Sequence, residues 1–285
     1  MSKSRKRART SALKVIALAT TSLAGLCLSG AAQAQDWNGG VSSDWFNSAN
    51  WTPNGVPTAA PGPTNVNTMT LNTATIASAG AVTDNLYIAI NGTVHLNIIT
   101  GGTLSSALVR IGGNAGSVGG IDVLGTNSSF STGSMSVGLG GTGSLTVGGG
   151  ATVISDGASL GSFAGSMGTA TVAGAGSSWT LANGFIVGSS GSGDLAVGNG
   201  GQVTSAFSNL GHFAGSSGSV LVTGAGSLFQ TTDLIVGRLG SGQLDIANGG
   251  TVSAVTTVIG QDAGNVSLIS VDGAGSMFTS SSRLV

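Results

Sequence analysis

"LGSFAGSMGTATVAGAGSSWTLANGFIVGSSGSGDLAVGNGGQV" runs from Leu160 to Val203. Its phrase "VAGAGSSWT", Val172 to Thr180, returns as "VTGAGSLFQ" at Val222 to Gln230 and as "VDGAGSMFT" at Val271 to Thr279. A degenerate copy, "VLGTNSSFS", sits at Val123 to Ser131. The leading valines are 49, 50 and 49 residues apart. A second mark divides that period. A glycine closes each short apolar run at Gly112, Gly138, Gly161, Gly188, Gly211, Gly237 and Gly260, at intervals of 26, 23, 27, 23, 26 and 23. The repeat is therefore two sub-units of nearly equal length.

Within each sub-unit apolar residues alternate. Leu145 and Val147, Leu195 and Val197, and Leu244 and Ile246 each sit two apart, which is the period of a strand with one buried face. Glycine pairs at Gly149-Gly150, Gly200-Gly201 and Gly249-Gly250 supply corners between short strands. No helical spacing follows residue 35, and so much Gly, Ser and Thr disfavours a helix. Fixed periods of this size mark solenoids, propellers or arrays. A four-stranded propeller blade fits the full unit but not its half. A coil of 23–27 residues fits one rung of a parallel β-helix, in which equivalent residues stack in columns. The expected fold is all-β, a β-solenoid of about nine rungs, two to each repeat, on the order of 40 Å long at about 4.8 Å per rung. Val137, Val187 and Val236 should share one interior column, and Leu145, Leu195 and Leu244 another. Trp179, Phe229 and Phe278 should occupy equivalent positions two rungs apart, as architecture or as an exposed ladder that binds glycan or a partner.

Three regions follow. Residues 1–34 read as a secretory signal peptide: Lys3, Arg5, Lys6, Arg7 and Arg9, then an apolar run, then Ala32 and Ala34 before a cut. Residues 35–64 form an aromatic and proline-rich segment, with Trp37, Trp45 and Trp51 ahead of Pro53, Pro57, Pro61 and Pro63. They are expected to cap the open end of the first rung, with a carbohydrate-stacking patch as the alternative. Residues 65–285 form the repeat region. The last residues, "SSSRLV", align with Thr231 to Val236, so Val285 should fall on Val236, one position before a rung glycine. The chain is expected to be a piece of a longer solenoid.

Charge narrows the function. Beyond residue 34 there remain Arg110, Arg238 and Arg283 against ten Asp, with no Lys and no Glu, a net of 3 − 10 = −7. Three cations neutralise few phosphates, so nucleic acid is an unsuitable partner. The single cysteine, Cys27, lies in the leader, leaving no disulfide or thiol chemistry in the exported part. "GLGGTG", Gly138 to Gly143, fits a dinucleotide-loop pattern by accident, because no helix follows it. Calcium-binding nonapeptide rolls need Asp where Ser144 and Leu145 stand. Two histidines, His95 and His212, without Cys or Glu are a poor metal set. No two Asp lie two apart, and their offsets from the rung glycines all differ, so paired carboxylates for glycan hydrolysis are not expected. Neither histidine has an Asp within ten residues, which gives no local sign of a Ser-His-Asp arrangement. His212 takes the place of Ser162 and Gln261 in sister rungs, as a variable turn residue would.

The unit "GxGxLxVxxGGxV … GAGSxW" resembles the repeat of passenger regions of type V autotransporters and of some exosortase-sorted (PEP-CTERM) proteins. The likeness covers Thr132 to Thr279 well and Leu86 to Ser131 loosely. The opening "DWNGGVSSDWFNSANWTPNGVP" is similar to the segment that follows the signal in such passengers. The resemblance implies a right-handed β-helical stalk at the cell surface or outside the cell, without catalytic residues or cofactor. It implies adhesion to a cell-surface glycan or self-association, and a C-terminal outer-membrane barrel beyond these residues. A free structural component of extracellular matrix and a β-helical glycan-active enzyme are the alternatives.

Overall fold

The computed structural model describes residues 33–67, 73–262 and 265–285. The expected signal peptide and Cys27 lie outside the described residues, save for the positions around the cut. The described residues from 33 onward form one compact unit. It consists of a thirteen-stranded and a nine-stranded sheet, in which successive coils pair in parallel. The β-solenoid expected from the period is the fold.

One coil shows why these residues build it. Met167–Ala173 lies in the nine-stranded sheet. The GAGS corner turns the chain into Ser178–Leu181 and Gly184–Val187 of the larger sheet. Gly188, at φ 74°, then turns it back. The long strands bend midway. In Thr152–Leu160 inward residues alternate, two adjacent residues then face outward, and the alternation resumes. Each coil thus has three straight segments around one apolar interior.

The interior columns follow the predicted register. Val137 pairs with Leu160, Leu160 with Val187, Val187 with Leu210 and Leu210 with Val236, and all five are fully buried. Leu145, Ala170, Leu195, Val220 and Leu244 form a second buried column. Parallel pairing gives every strand backbone its partners along the axis, and the columns remove apolar side chains from water at roughly 25 cal/mol per Å².

The two-coil period has a cause that lies in the corners. Ser177, Ser227 and Ser276 of the GAGS phrase each accept a backbone N–H from the preceding coil, from Gly150, Gly200 and Gly249, all at 3.0 Å. Ser128 of the degenerate copy does the same for Gly101 at 3.1 Å. Ser227 also donates to the Thr223 carbonyl at 2.8 Å. A serine corner therefore needs a glycine corner beneath it, and the two types alternate. Ser227→Ala is expected to leave the half-buried Gly200 N–H without its partner, at about 1 kcal/mol. Urea denaturation measures it, and a variant as stable as the parent would show that the hydroxyl is not the latch.

Two expectations need correction or refinement. The final strand, Met277–Leu284, keeps the predicted register as far as Ser280 and departs from it beyond. Ala254 pairs with Ser280 but Thr256 pairs with Arg283, across a bulge. Val285 N–H bonds the Thr257 carbonyl, which places Val285 beside Val258 and so level with Ile235 rather than Val236. In the predicted register Arg283 would face inward at the level of buried Leu234; the bulge gives that place to Leu284. At the other end, Gln35–Trp37 pairs antiparallel with Trp51–Thr52 and parallel with Pro63–Val66. Pro63 thus opens a regular strand of the solenoid, where its missing N–H is tolerated.

Candidate functional site

The three aromatic positions are brought into one column, and that column is interior. Phe130, Val153, Trp179, Val203, Phe229, Val252 and Phe278 stand in register on successive coils. Trp179 and Phe229 are fully buried, and Phe278, in the last described coil, is half-buried. Trp179 meets Phe185 edge-on at 4.9 Å and donates its indole N–H to Ser155 Oγ at 3.0 Å. Trp179 and Phe229 present no face to solvent, so the ladder expected as an alternative has no surface on which to stack a ligand.

The N-terminal tryptophans are likewise packed. Trp51 meets Trp37 at 5.0 Å and Trp45 at 4.6 Å, both edge-on, and its indole N–H donates to the Trp45 carbonyl at 2.8 Å. Asn50, fully buried, accepts the N–H groups of Val41 and Ser42 and donates to Ser42 Oγ and the Asp44 carbonyl. Beside this knot the Trp45 N–H bonds the Thr75 carbonyl and Gln35–Trp37 pairs with Pro63–Val66, and the three indoles are buried against one another.

Two groupings of polar side chains appear that sequence distance conceals. His95 Nδ1 lies 3.7 Å from Asp122 Oδ2, 27 positions on but on the adjacent coil. His95 pairs in register with Gly120, and Gly120 with Ser144. A Cβ at Gly120 would fall 2.4 Å from His95 Nδ1 and 2.7 Å from Ser144 Oγ. Ser, His and Asp thus share one patch on the outer face of the nine-stranded sheet. The Ser144 hydroxyl, however, donates at 3.4 Å to the Gly119 carbonyl. The signal for the pair was the coil offset rather than local spacing: a residue one coil and two positions on is a diagonal neighbour.

The second grouping is on the corner after Asn209. His212 Nδ1 is 2.8 Å from the Asn209 amide and Nε2 is 3.1 Å from Arg238 Nη1. Arg238 can only donate, so Nε2 is the bare nitrogen and Nδ1 carries the proton. The network closes when the Asn209 amide presents its oxygen to that proton. Burial, and then the Arg238 charge, hold the His212 pKa below its ordinary 6.5. The unfolded chain therefore binds the proton more readily, and this corner's contribution is full above about pH 6.5 and falls as pH drops toward the folded pKa. A proton-NMR titration is expected to place the His212 midpoint below 6.5; a midpoint above it would mean that Arg238 does not face the ring. Asp194, in the outer column between Thr169 and Ser219, has its pKa raised by burial.

An open depression of about 290 Å³ marks the outer face of the larger sheet. Ser134, Ser136, Gly157, Ser159, Gly184 and Ile186 line it, with Phe207 at one end. Among the described residues no three His, Cys, Asp or Glu side chains gather where they could hold a metal ion. No family model, no curated protein and no solved structure matches this chain.

Proposed function

We propose that this chain is an exported, non-catalytic solenoid stalk, displayed at the cell surface or released outside it, that works by adhesion or self-association. One observation carries the reading. The inner columns through Leu160 and Leu195 stay aliphatic from coil to coil, whereas the outer columns keep no one chemistry. The outer column through His95 continues as Gly120, Ser144, Thr169, Asp194 and Ser219. Repetition here builds a regular rod with a varied polar surface, which suits a spacer with contact patches better than a repeated active site. The excess of ten Asp over three Arg beyond residue 34 adds a solubilising surface charge.

The test is to express the complete gene product with its leader in a Gram-negative host and to treat intact cells with protease. Cleavage from outside, with protein in the outer-membrane fraction or medium, is expected. Full protection in the cytosol would sink the reading. Recovery in the medium alone would favour free matrix material. Among the described residues, the His95–Asp122 pair is the feature that favours a glycan-active enzyme. Release of reducing ends by purified protein, lost in His95→Ala, would replace the stalk with that activity.

A further inference from the structure

The larger sheet carries an outer column that breaks the pattern of its neighbours. Ser134, Gly157, Gly184 and Phe207 stand in register on four successive coils. The two glycines are not there for the backbone. Neither has positive φ. A Cβ on Gly157 would meet only backbone atoms of Gly184, the nearer at 3.3 Å, and a Cβ on Gly184 would first meet the Phe207 ring, from 2.2 Å. In the glycine column of the smaller sheet, by contrast, a Cβ on Gly143, Gly168, Gly193, Gly218 or Gly242 runs into main-chain oxygen or nitrogen at 2.0–2.2 Å. What Gly157 and Gly184 supply is room. The Phe207 ring lies down over Gly184, and Gly157 beyond it is bare.

The space so opened is the 290 Å³ depression, at the lower end of ligand-pocket volumes of roughly 300–1,000 Å³. Its chemistry is mixed in a particular way. Phe207 is 44% exposed, an apolar platform left to water. The floor and far wall bring hydroxyls from Ser134, Ser136 and Ser159, groups that both donate and accept, the Ser159 hydroxyl already sharing one bond with Ser162 Oγ at 2.6 Å. No lining residue is charged. The carboxylate next in the column, Asp233, lies on the far side of Phe207 and accepts a hydrogen bond from Thr256.

We propose that this trough binds one ring of a neutral saccharide. The ring's C–H face stacks on Phe207, and its hydroxyls exchange hydrogen bonds with the serines. An uncharged amphipathic ring matches each part of the lining. An anionic sugar would find no cation there, and a purely apolar group would strand the hydroxyls. The proposal gives the adhesive reading a ligand class and rests on that reading only for its biological use.

The experiment titrates the purified chain, ¹⁵N-labelled, with maltohexaose, cellohexaose and an oligogalacturonate, and follows amide shifts. Shifts centred on Ser134, Ser136, Ser159 and Ile186 are expected with a neutral oligomer. Phe207→Ala should weaken that binding about tenfold, and Gly157→Ser, which fills the trough beside an existing serine, should weaken it similarly without lowering the melting temperature. If Phe207→Ala is poorly folded, Gly157→Ser alone decides. The proposal is overturned by no shift with either neutral oligomer, by binding that both variants keep, or by equal or tighter binding of the uronate. It is also overturned by concentration-dependent dimerisation that Phe207→Ala abolishes, which would make a second copy the occupant. Protease shaving is scored apart. A protected protein sinks the surface reading and leaves saccharide binding standing, whereas absent shifts sink the trough and leave the surface reading standing.

Discussion

Leu195→Asp is expected to unfold several coils while Thr171→Asp, one coil away in the same sheet, melts like the parent. Leu195 is 2% exposed and lies between Ala170 and Val220 in an unbroken apolar column. An ionised carboxylate there has no cation within the column and no water. The loss combines the transfer free energy of a buried leucine with an unpaired polar group, about 4–5 kcal/mol together. Thr171 faces outward between Thr146 and Ala196, so a charge there should change stability by less than about 0.5 kcal/mol. The pair tests the alternation of the strand. In a solenoid each coil touches only its neighbours, so the damage should spread from the substituted coil. Hydrogen exchange is the measurement: the coils that carry Ala170, Leu195 and Val220 should exchange first. Equal melting of both variants would reverse the inside and outside of this sheet.

Much of this fold is legible because a parallel solenoid writes its columns into the chain as a period. The offset from Val137 to Leu160 to Val187 is both a sequence interval and a stacking interval. Inside and outside are harder to read where a strand bends. Trp179 lies just ahead of the bend of its coil, and the period fixes its equivalence to Phe229 without saying which way either points. The bulge before Arg283 is invisible to an alignment of motifs. It sets Leu284 rather than Arg283 level with Leu234, which the repeated phrase does not encode.

The candidate sites were less legible, for a related reason. His95 and Asp122, or Phe207 and Gly184, are neighbours only through the coil offset, and each lies in outer columns where the period imposes no residue type. A search for acids near histidines along the chain passes over a diagonal contact between coils. The serine corners show the same limit from the other side. The GAGS phrase announces its importance by repetition, yet its partner is the glycine 27 positions earlier, from Ser177 back to Gly150. The sequence marks both ends of that bond without linking them.

Glycines give the sharpest case. Gly215 and Gly218 are three residues apart, and both read as turn or strand punctuation. Gly215 has φ 79° with nothing within 4 Å of a Cβ. An alanine there meets only the penalty of the left-handed region, about 1–2 kcal/mol. Gly218 has no positive φ. A Cβ on it would lie 2.0 Å from the Val187 carbonyl oxygen, 2.5 Å from the Gly211 nitrogen and 2.9 Å from Leu210 Cα. Every obstacle is main chain, held by the hydrogen bond from Gly211 N–H to the Val187 carbonyl at 2.9 Å, so no rotamer change relieves it. The column below and above is glycine from Gly119 through Gly143, Gly168 and Gly193 to Gly242, where the incoming corner crosses, and gives way to Val94 and Ser267 only at its two ends. Gly218→Ala is therefore expected to cost about 3 kcal/mol or more, well beyond Gly215→Ala, although conformational freedom alone would rank the two the other way. Guanidinium denaturation of both variants decides. If Gly215→Ala is the more damaging, the corner does not pass beneath the strand as described, and the stacking of coils at this edge must be redrawn.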